Sequence, residues 1–226
     1  TLNSVKEFSK HKTIDGVITI AADNPMSVAK VAKTLNLESL SMKTATLSTN
    51  KVLMKDEFKK NGIPIPFYKA IYKKSEIEEI LLERPGKYVL KPIDSRGSRG
   101  VIRISKVGEI EKAWNFSKEY SPSGILIIEE WIHGDQISSE SIVFNGVSHL
   151  CGLADRNYSR LDELYPFVVE DGGETPSKHS DKFNKEIDSL MTKVASIIGL
   201  NKGSIKGDII ISKGKIYIIE VAARLS

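Results

Sequence analysis

The chain has 226 residues, 40% hydrophobic and 27% charged, an ordinary composition for a soluble protein and enough length to bury one large core or two smaller ones. Its 33 Lys and Arg against 29 Asp and Glu leave a net charge of +4 that is spread along the chain; with 7% aromatic residues and no zinc-finger or recognition-helix signature, no nucleic-acid partner is expected. One cysteine and four scattered histidines exclude an internal disulfide and a zinc cluster and fit a reducing, cytoplasmic setting, while the lack of a signal peptide or of an apolar run near ~18 residues argues against export or a membrane span.

From the N-terminus, residues 1–14 supply at most one weak helix. Asp15-Gly16 then leads into Val17-Ile18-Thr19-Ile20-Ala21-Ala22, an apolar run that predicts a strand buried on both faces. Asp23-Asn24-Pro25 offers an N-cap and a first-turn proline for a helix over 25–35, with Val28, Val31, Ala32 and Leu35 on one stripe. Strand then helix is half of an α/β unit, and with no companion strands in sight the segment reads as part of a larger fold. Thr49-Asn50 can cap the next helix, 51–61, with Val52, Leu53, Met54 and Phe58 at packing positions. A domain boundary therefore falls near residue 48.

Ile63-Pro64-Ile65-Pro66 is extended by proline stereochemistry and precedes a strand over 67–71 and a helix from Ser75 to about residue 83, opened by a Ser75-x-x-Glu78 capping box. Tyr88-Val89-Leu90-Lys91-Pro92 is an apolar strand carrying one lysine into the glycine-punctuated loop Asp94-Ser95-Arg96-Gly97-Ser98-Arg99-Gly100, and Val101-Ile102-Arg103-Ile104 alternates like a returning strand. The glycines let successive N–H groups converge on an anion, with Ser95, Ser98, Arg96 and Arg99 adding donors and charge. Neither a P-loop nor a dinucleotide fingerprint fits, since both open a helix. On its own such a loop is more often a solvated turn; Lys91 shifts that balance, because a lysine on a buried strand needs an anionic partner.

A helix over 107–119 follows, with Ile110, Ala113, Trp114 and Phe116 inward. Residues 125–132 form a strand ending in Glu129-Glu130-Trp131-Ile132, and 136–144 a returning strand whose Asn145-Gly146 hairpin turn leads to 147–153. Residues 155–180 read as a long functional loop with one short strand at 165–169, and Arg156, Arg160 and Glu170 are candidates there for holding a substrate. The helix over 180–198 keeps its apolar residues on one stripe and stops at Gly199. Two strands joined by Lys213-Gly214 close the chain and set Asp208 beside Glu220. Two carboxylates so placed bracket a cation, with Mg²⁺ the natural choice, or else face water and pair with Lys206 and Arg224.

Lys51 on a helix, Lys91 before the small-residue loop, Glu129-Glu130-Trp131-Ile132 at a strand end, then Asp208, Glu220 and Arg224 form an ordered set that resembles the ATP-grasp superfamily, carboxylate-amine ligases and carbamoyl-phosphate-synthase-like enzymes included. The resemblance runs from about residue 48 to the last residue, and the segment over 15–37 is similar to the tail of the α/β domain that precedes it in the family. It implies an ATP-grasp fold of two α+β subdomains (49–226), apparently truncated at the C-terminus, after a partial α/β segment (1–48). By the same resemblance Lys51 and Lys91 would contact the phosphates of ATP, and Gly97, Ser98, Arg99 and Gly100 would cover them. The backbone around Glu130, Trp131 and Ile132 would bind adenine with Glu129 nearby, and Gln136 stands where the family usually has a ribose-binding glutamate. Asp208 and Glu220 would bind Mg²⁺, with Mn²⁺ as a substitute, although the family's frequent third ligand is Ala222 here. Lys206 would approach the γ-phosphate and Arg224 would stabilise a phosphorylated intermediate.

The implied activity is ATP-dependent ligation of a small-molecule carboxylate to an amine, amino acids or peptides among them, through an acyl phosphate. Two alternatives stand beside it: a biotin-carboxylase-like or carbamoyl-phosphate-synthase-like enzyme acting on bicarbonate, and a non-catalytic ATP-binding sensor or assembly subunit. A homodimer is among the assemblies allowed.

Overall fold

The computed structural model describes residues 2–225. Four helices lead: α1 (Leu2–Ser9), α2 (Pro25–Leu35), α3 (Met42–Leu47) and α4 (Lys51–Lys60). A first α+β unit holds β1 (Tyr68–Ile71), α5 (Lys74–Glu83), β2 (Tyr88–Pro92), β3 (Ile102–Ile104), α6 (Ile110–Glu119) and β4 (Leu126–Glu130). A second holds β5 (Asp135–Phe144), β6 (Val147–Asn157), β7 (Gly172–Glu174), α7 (Ser180–Ile198), β8 (Gly203–Ser212) and β9 (Lys215–Ala222). The strands make two antiparallel sheets, ordered β1-β4-β2-β3 and β7-β6-β5-β8-β9. This is the mixed α+β architecture expected.

Period-two alternation decides what each sheet buries. In the first, Leu90, Ile102, Ile104, Leu126 and Ile128 face α5 and α6, whose Ile77, Ile80, Ile110 and Ala113 complete that core. The opposite face of β2 and β4 carries Lys91 and Glu129. In the second sheet Ile137, Leu153, Ile205 and Ile209 lie under Ile187, Met191, Val194 and Ile198 of α7. Each such side chain, fully buried, contributes about 1.5–3 kcal/mol. Met54 and Phe58 of α4 join this second core, as do Val28, Ala45 and Leu47 from α2 and α3. Since α4 packs by that stripe, the rest of it is free to turn Lys51 and Lys55 toward the first sheet.

Several expectations need correction. No strand forms over 17–22: Ile18 and Ile20 are exposed, because none of the described strands lies alongside to pair the backbone. The Ile20 carbonyl instead accepts from Leu225 N at 2.9 Å. Helix α3, capped by Ser41 on Thr44 N, had no reading in the sequence. Helix α5 begins one residue earlier than Ser75, and its N-terminus is closed by Glu76, which accepts from Tyr72 N and Lys73 N at 2.6 and 2.8 Å, rather than by Glu78. Leu53 is exposed and Lys55 takes a buried position on α4. Residues 165–169 hold only an isolated bridge, Phe167 to Ile102; the short strand is β7, and β6 runs on to Asn157, so Arg156 sits on a strand. Cys151 is exposed. No helix among the described residues is long and apolar enough to cross a membrane.

Residues 131–134 carry the chain between the sheets. Ser212 Oγ donates to the His133 carbonyl at 2.5 Å, and Gly134 lies so close to β8 that a Cβ there would overlap the Ile211 carbonyl oxygen. Gly134→Ala is therefore expected to cost about 1–3 kcal/mol, the usual range for forced overpacking, and calorimetry should record a lower Tm.

Candidate active site

The two sheets face each other across a cleft of about 890 Å³. Its floor is an ion-pair triad. Lys91 Nζ of β2 lies 3.0 Å from Glu129 Oε1 of β4, and Lys55 Nζ of α4 lies 3.3 Å from Oε2 of the same carboxylate. All three are buried, Lys55 completely. Burial pushes Lys55 down to about 8, only partly countered by Glu129. Burial also acts against the Lys91 ammonium, but Glu129, Glu220 and Asp208 outweigh it and hold the pKa above the ordinary lysine value.

The wall opposite is the β8–β9 hairpin. Asp208 pairs with Glu220 across it only because a bulge interrupts the ladder beside Asp208. Counted regularly from Ser212↔Lys215, Asp208 would meet Ile219 and the two acids would point to opposite faces. Asp208 Oδ1 accepts from Arg156 Nη1 at 2.8 Å and lies 3.2 Å from Lys206 Nζ. Arg156 Nη2 also reaches Glu170 Oε2 at 3.1 Å. Burial raises the Asp208 pKa against these cations. Glu220 goes the other way: burial would raise it, but Lys51, Lys91, Lys206 and Lys55 together hold it at about 2. Lys51 Nζ stands 3.5 Å from Glu220 Oε2 and donates to the Ser95 carbonyl at 2.7 Å, tying α4 to both the hairpin and the glycine loop.

Of the residues singled out in the sequence, Lys51, Lys91, Glu129, Asp208 and Glu220 line this cleft, as do Gly97, Ser98 and Arg99 from the loop. Glu130, Trp131, Ile132 and Gln136 line its other end, with Tyr158 also in the lining. Four fall outside the lining, Glu170 among them, whereas Arg156 and Arg160 line it. Gly100 is buried, with φ +75°, and its bare Cα is packed so closely on Pro92 that a Cβ would stand 2.9 Å from the ring. Lys206 lies behind Asp208. Arg224 opens instead onto a second cavity of about 460 Å³, where it is held by Asp23. Sequence reasoning missed Lys55, although its place four residues after Lys51 puts both on one face of α4. It also assigned Arg156 to a loop, and its Asp208 contact came into view only with the extended β6.

The family model of the ATP-grasp domain matches residues 48–226. The chain belongs to the ATP-grasp family. Among curated proteins it is similar to the D-alanine--D-alanine ligase of Azoarcus sp. strain BH72, at 22% identity over 163 residues, covering 71% of this chain and 52% of that protein. Among solved structures it is similar to an L-amino acid ligase from Bacillus licheniformis, with TM-score 0.81 and 23% identity over 99% of this chain and 52% of the other. It is similar too to a biotin carboxylase from Campylobacter jejuni, with TM-score 0.81 and 18% identity over 100% of this chain and 52% of the other. These likenesses establish the ATP-grasp fold. The chain spans about half the length of the proteins it matches.

In this ATP-grasp chain the triad has measurable consequences. Glu129→Ala leaves two buried lysines without their shared counter-ion and is expected to cost about 3–5 kcal/mol in urea unfolding. The second consequence is a pH effect. Between about 8 and the ordinary value of 10.5 for Lys55, the unfolded chain holds a proton that the native state has released, so stability rises with pH across that window. Relative to Lys55→Met, the wild-type unfolding free energy is expected to climb by about 1.4 kcal/mol per pH unit there, and to lie flat below it; urea titrations at stepped pH read both.

Proposed function

We propose that the chain binds ATP in the large cleft and supports transfer of the γ-phosphoryl group to a small-molecule carboxylate, whose acyl phosphate is then taken by an amine. The observation that carries this reading is the convergence of Lys51, Lys91, Asp208 and Glu220, from α4, β2, β8 and β9, on one cleft. The fixed charges that line the cleft or pair directly with its lining suit a polyanion: five cations, Lys51, Lys55, Lys91, Lys206 and Arg156, meet four carboxylates, Glu129, Glu170, Asp208 and Glu220. Arg96 and Arg99 on the glycine loop add further positive charge at the rim.

Lys51 and Lys91 are assigned to the phosphates, and the loop at Gly97, Ser98, Arg99 and Gly100 to covering them and excluding water. Glu130, Trp131 and Ile132 are assigned to the base. Gln136 is assigned to the ribose, as a neutral hydrogen-bonding partner. Asp208 and Glu220 are oxygen donors opposite each other on one hairpin, a set that fits a hard divalent cation, Mg²⁺ or in its place Mn²⁺; no third acid joins them in a metal-binding group among the described residues. When bound, that ion would neutralise charge between the β- and γ-phosphates. The carboxylate oxygen attacks the γ-phosphorus as its bond to the bridging oxygen breaks and ADP leaves; the amine nitrogen then attacks the acyl carbon, phosphate departs, and the amine gives up a proton. Lys206 and Arg224 are assigned to the charge that develops during transfer. The single exposed cysteine agrees with a cytoplasmic setting.

Release of ADP is the test, measured with ATP, a panel of amino acids and other small carboxylates including bicarbonate, and amines. Lys91→Ala and Glu220→Ala are each expected to weaken ATP binding in calorimetry by on the order of a hundredfold or to remove turnover, since each takes away a charge-assisted contact. Wild-type ATP affinity and turnover in both variants would overturn the reading. Tight ATP binding with no ADP released from any pair would instead favour a nucleotide-binding sensor.

A further inference from the structure

Asp23 lies outside the segment matched to the family, yet it touches two parts of the site. Its carboxylate grips Arg224 side-on, Nε to Oδ1 at 2.6 Å and Nη2 to Oδ2 at 3.0 Å. Its backbone carbonyl accepts from Arg96 Nη1 of the glycine loop. Beside it, Leu225 N donates to Ile20 O at 2.9 Å, and Arg224 Nη1 to Leu225 O at 2.6 Å. The stretch over 20–23 is thus laid along the end of β9 and under the glycine loop at once.

What these contacts enclose is the second cavity. It shares Lys51, Arg96, Gly97 and Glu220 with the large cleft, so the two spaces meet at the groups assigned to the phosphates. A guanidinium has five N–H donors in a rigid plane. Three are accounted for by Asp23 and Leu225, and the two-point grip of Asp23 sets the plane in which the remaining donors lie. Without the Asp23 carboxylate, the Leu225 carbonyl is the one remaining hydrogen-bond partner of the Arg224 side chain among the described residues, and it holds the guanidinium at a single point.

We propose that Asp23 is a positioning residue: it sets the guanidinium edge that Arg224 presents to the second cavity and, through its carbonyl, docks the glycine loop over the junction of the two cavities. The anion read by that edge is a carboxylate or its acyl phosphate, which rests on the ligase reading above. Asp23 does not line the large cleft, and its carboxylate is turned to Arg224 rather than to the groups assigned to the nucleotide.

The test uses the whole chain with Asp23→Asn, which keeps the backbone and the size of the side chain but cannot accept at both positions. Phenylglyoxal, an arginine reagent, is followed by peptide mapping at Arg224, ATP affinity by calorimetry, and ADP release with the amino-acid panel by steady-state kinetics. Arg224 is expected to be labelled several-fold faster, ATP affinity to hold within about twofold, and kcat with the best amino acid to fall on the order of tenfold to a hundredfold, the usual effect of misplacing a positioned group. Asp23→Glu, which keeps two acceptor oxygens, should recover part of the kcat. Unchanged labelling of Arg224 would overturn the proposal, as would unchanged kcat in an active enzyme or a loss of ATP affinity equal to the loss of kcat. Should the wild type release no ADP with any substrate, the ligase reading fails, and the labelling ratio alone then decides whether Asp23 sets Arg224. If Asp23→Asn does not fold, Asp23→Ser gives the same readings.

Discussion

A single buried carboxylate, Glu129, stands between two buried lysines that come from different parts of the chain. Lys55 arrives on a helix whose apolar stripe belongs to the second core, Lys91 on a strand of the first sheet, and Glu129 on that sheet's neighbouring strand. Removing three charges from water is costly unless their geometry is good, and a triad with one anion and two cations is under-neutralised by itself. The field of Glu220 and Asp208 across the cleft makes up part of the deficit at Lys91. The arrangement therefore joins the two halves of the molecule electrostatically, and it leaves the floor of the cleft positive.

That asymmetry explains why the hairpin acids behave differently although they are cross-strand partners. Glu220 is reached by several lysines and stays ionised far into the acid range, whereas Asp208 lies deeper, where the cost of burial exceeds the help from Lys206 and Arg156. The cleft thus combines fixed positive charge with two oxygen donors of unequal basicity.

The segment after β6 ties the halves together at the other end of the cleft. It leaves the second sheet but docks on the first: Arg103 of β3 lies over the rings of Trp131 and Tyr165, Tyr165 Oη bonds Glu109 at 2.7 Å, and Phe167 stacks edge-on with Phe116 at 5.2 Å between centroids. These contacts are aromatic and cationic more than aliphatic, and the segment has little regular hydrogen bonding of its own. It is the part of the molecule least dictated by periodic pattern.

The sequence by itself determined the regular elements and the order of the site residues along the chain. Apolar stripes at helical spacing gave α2, α4 and α7, because a helix that packs on one side needs that period, and the lysine inside an apolar strand marked β2 as a strand with an ionic partner. Tertiary structure decided what local pattern cannot encode. Residues 17–22 have the composition of a strand, but a strand exists only where a neighbour pairs its backbone. Lys55 looks like a surface residue until the partner carboxylate is known. Asp208 and Glu220 share a face because one bulge shifts the register, and Arg224 turns to Asp23, 201 positions away in the chain. In each case the deciding energy comes from a group distant in sequence, so no window along the chain contains it.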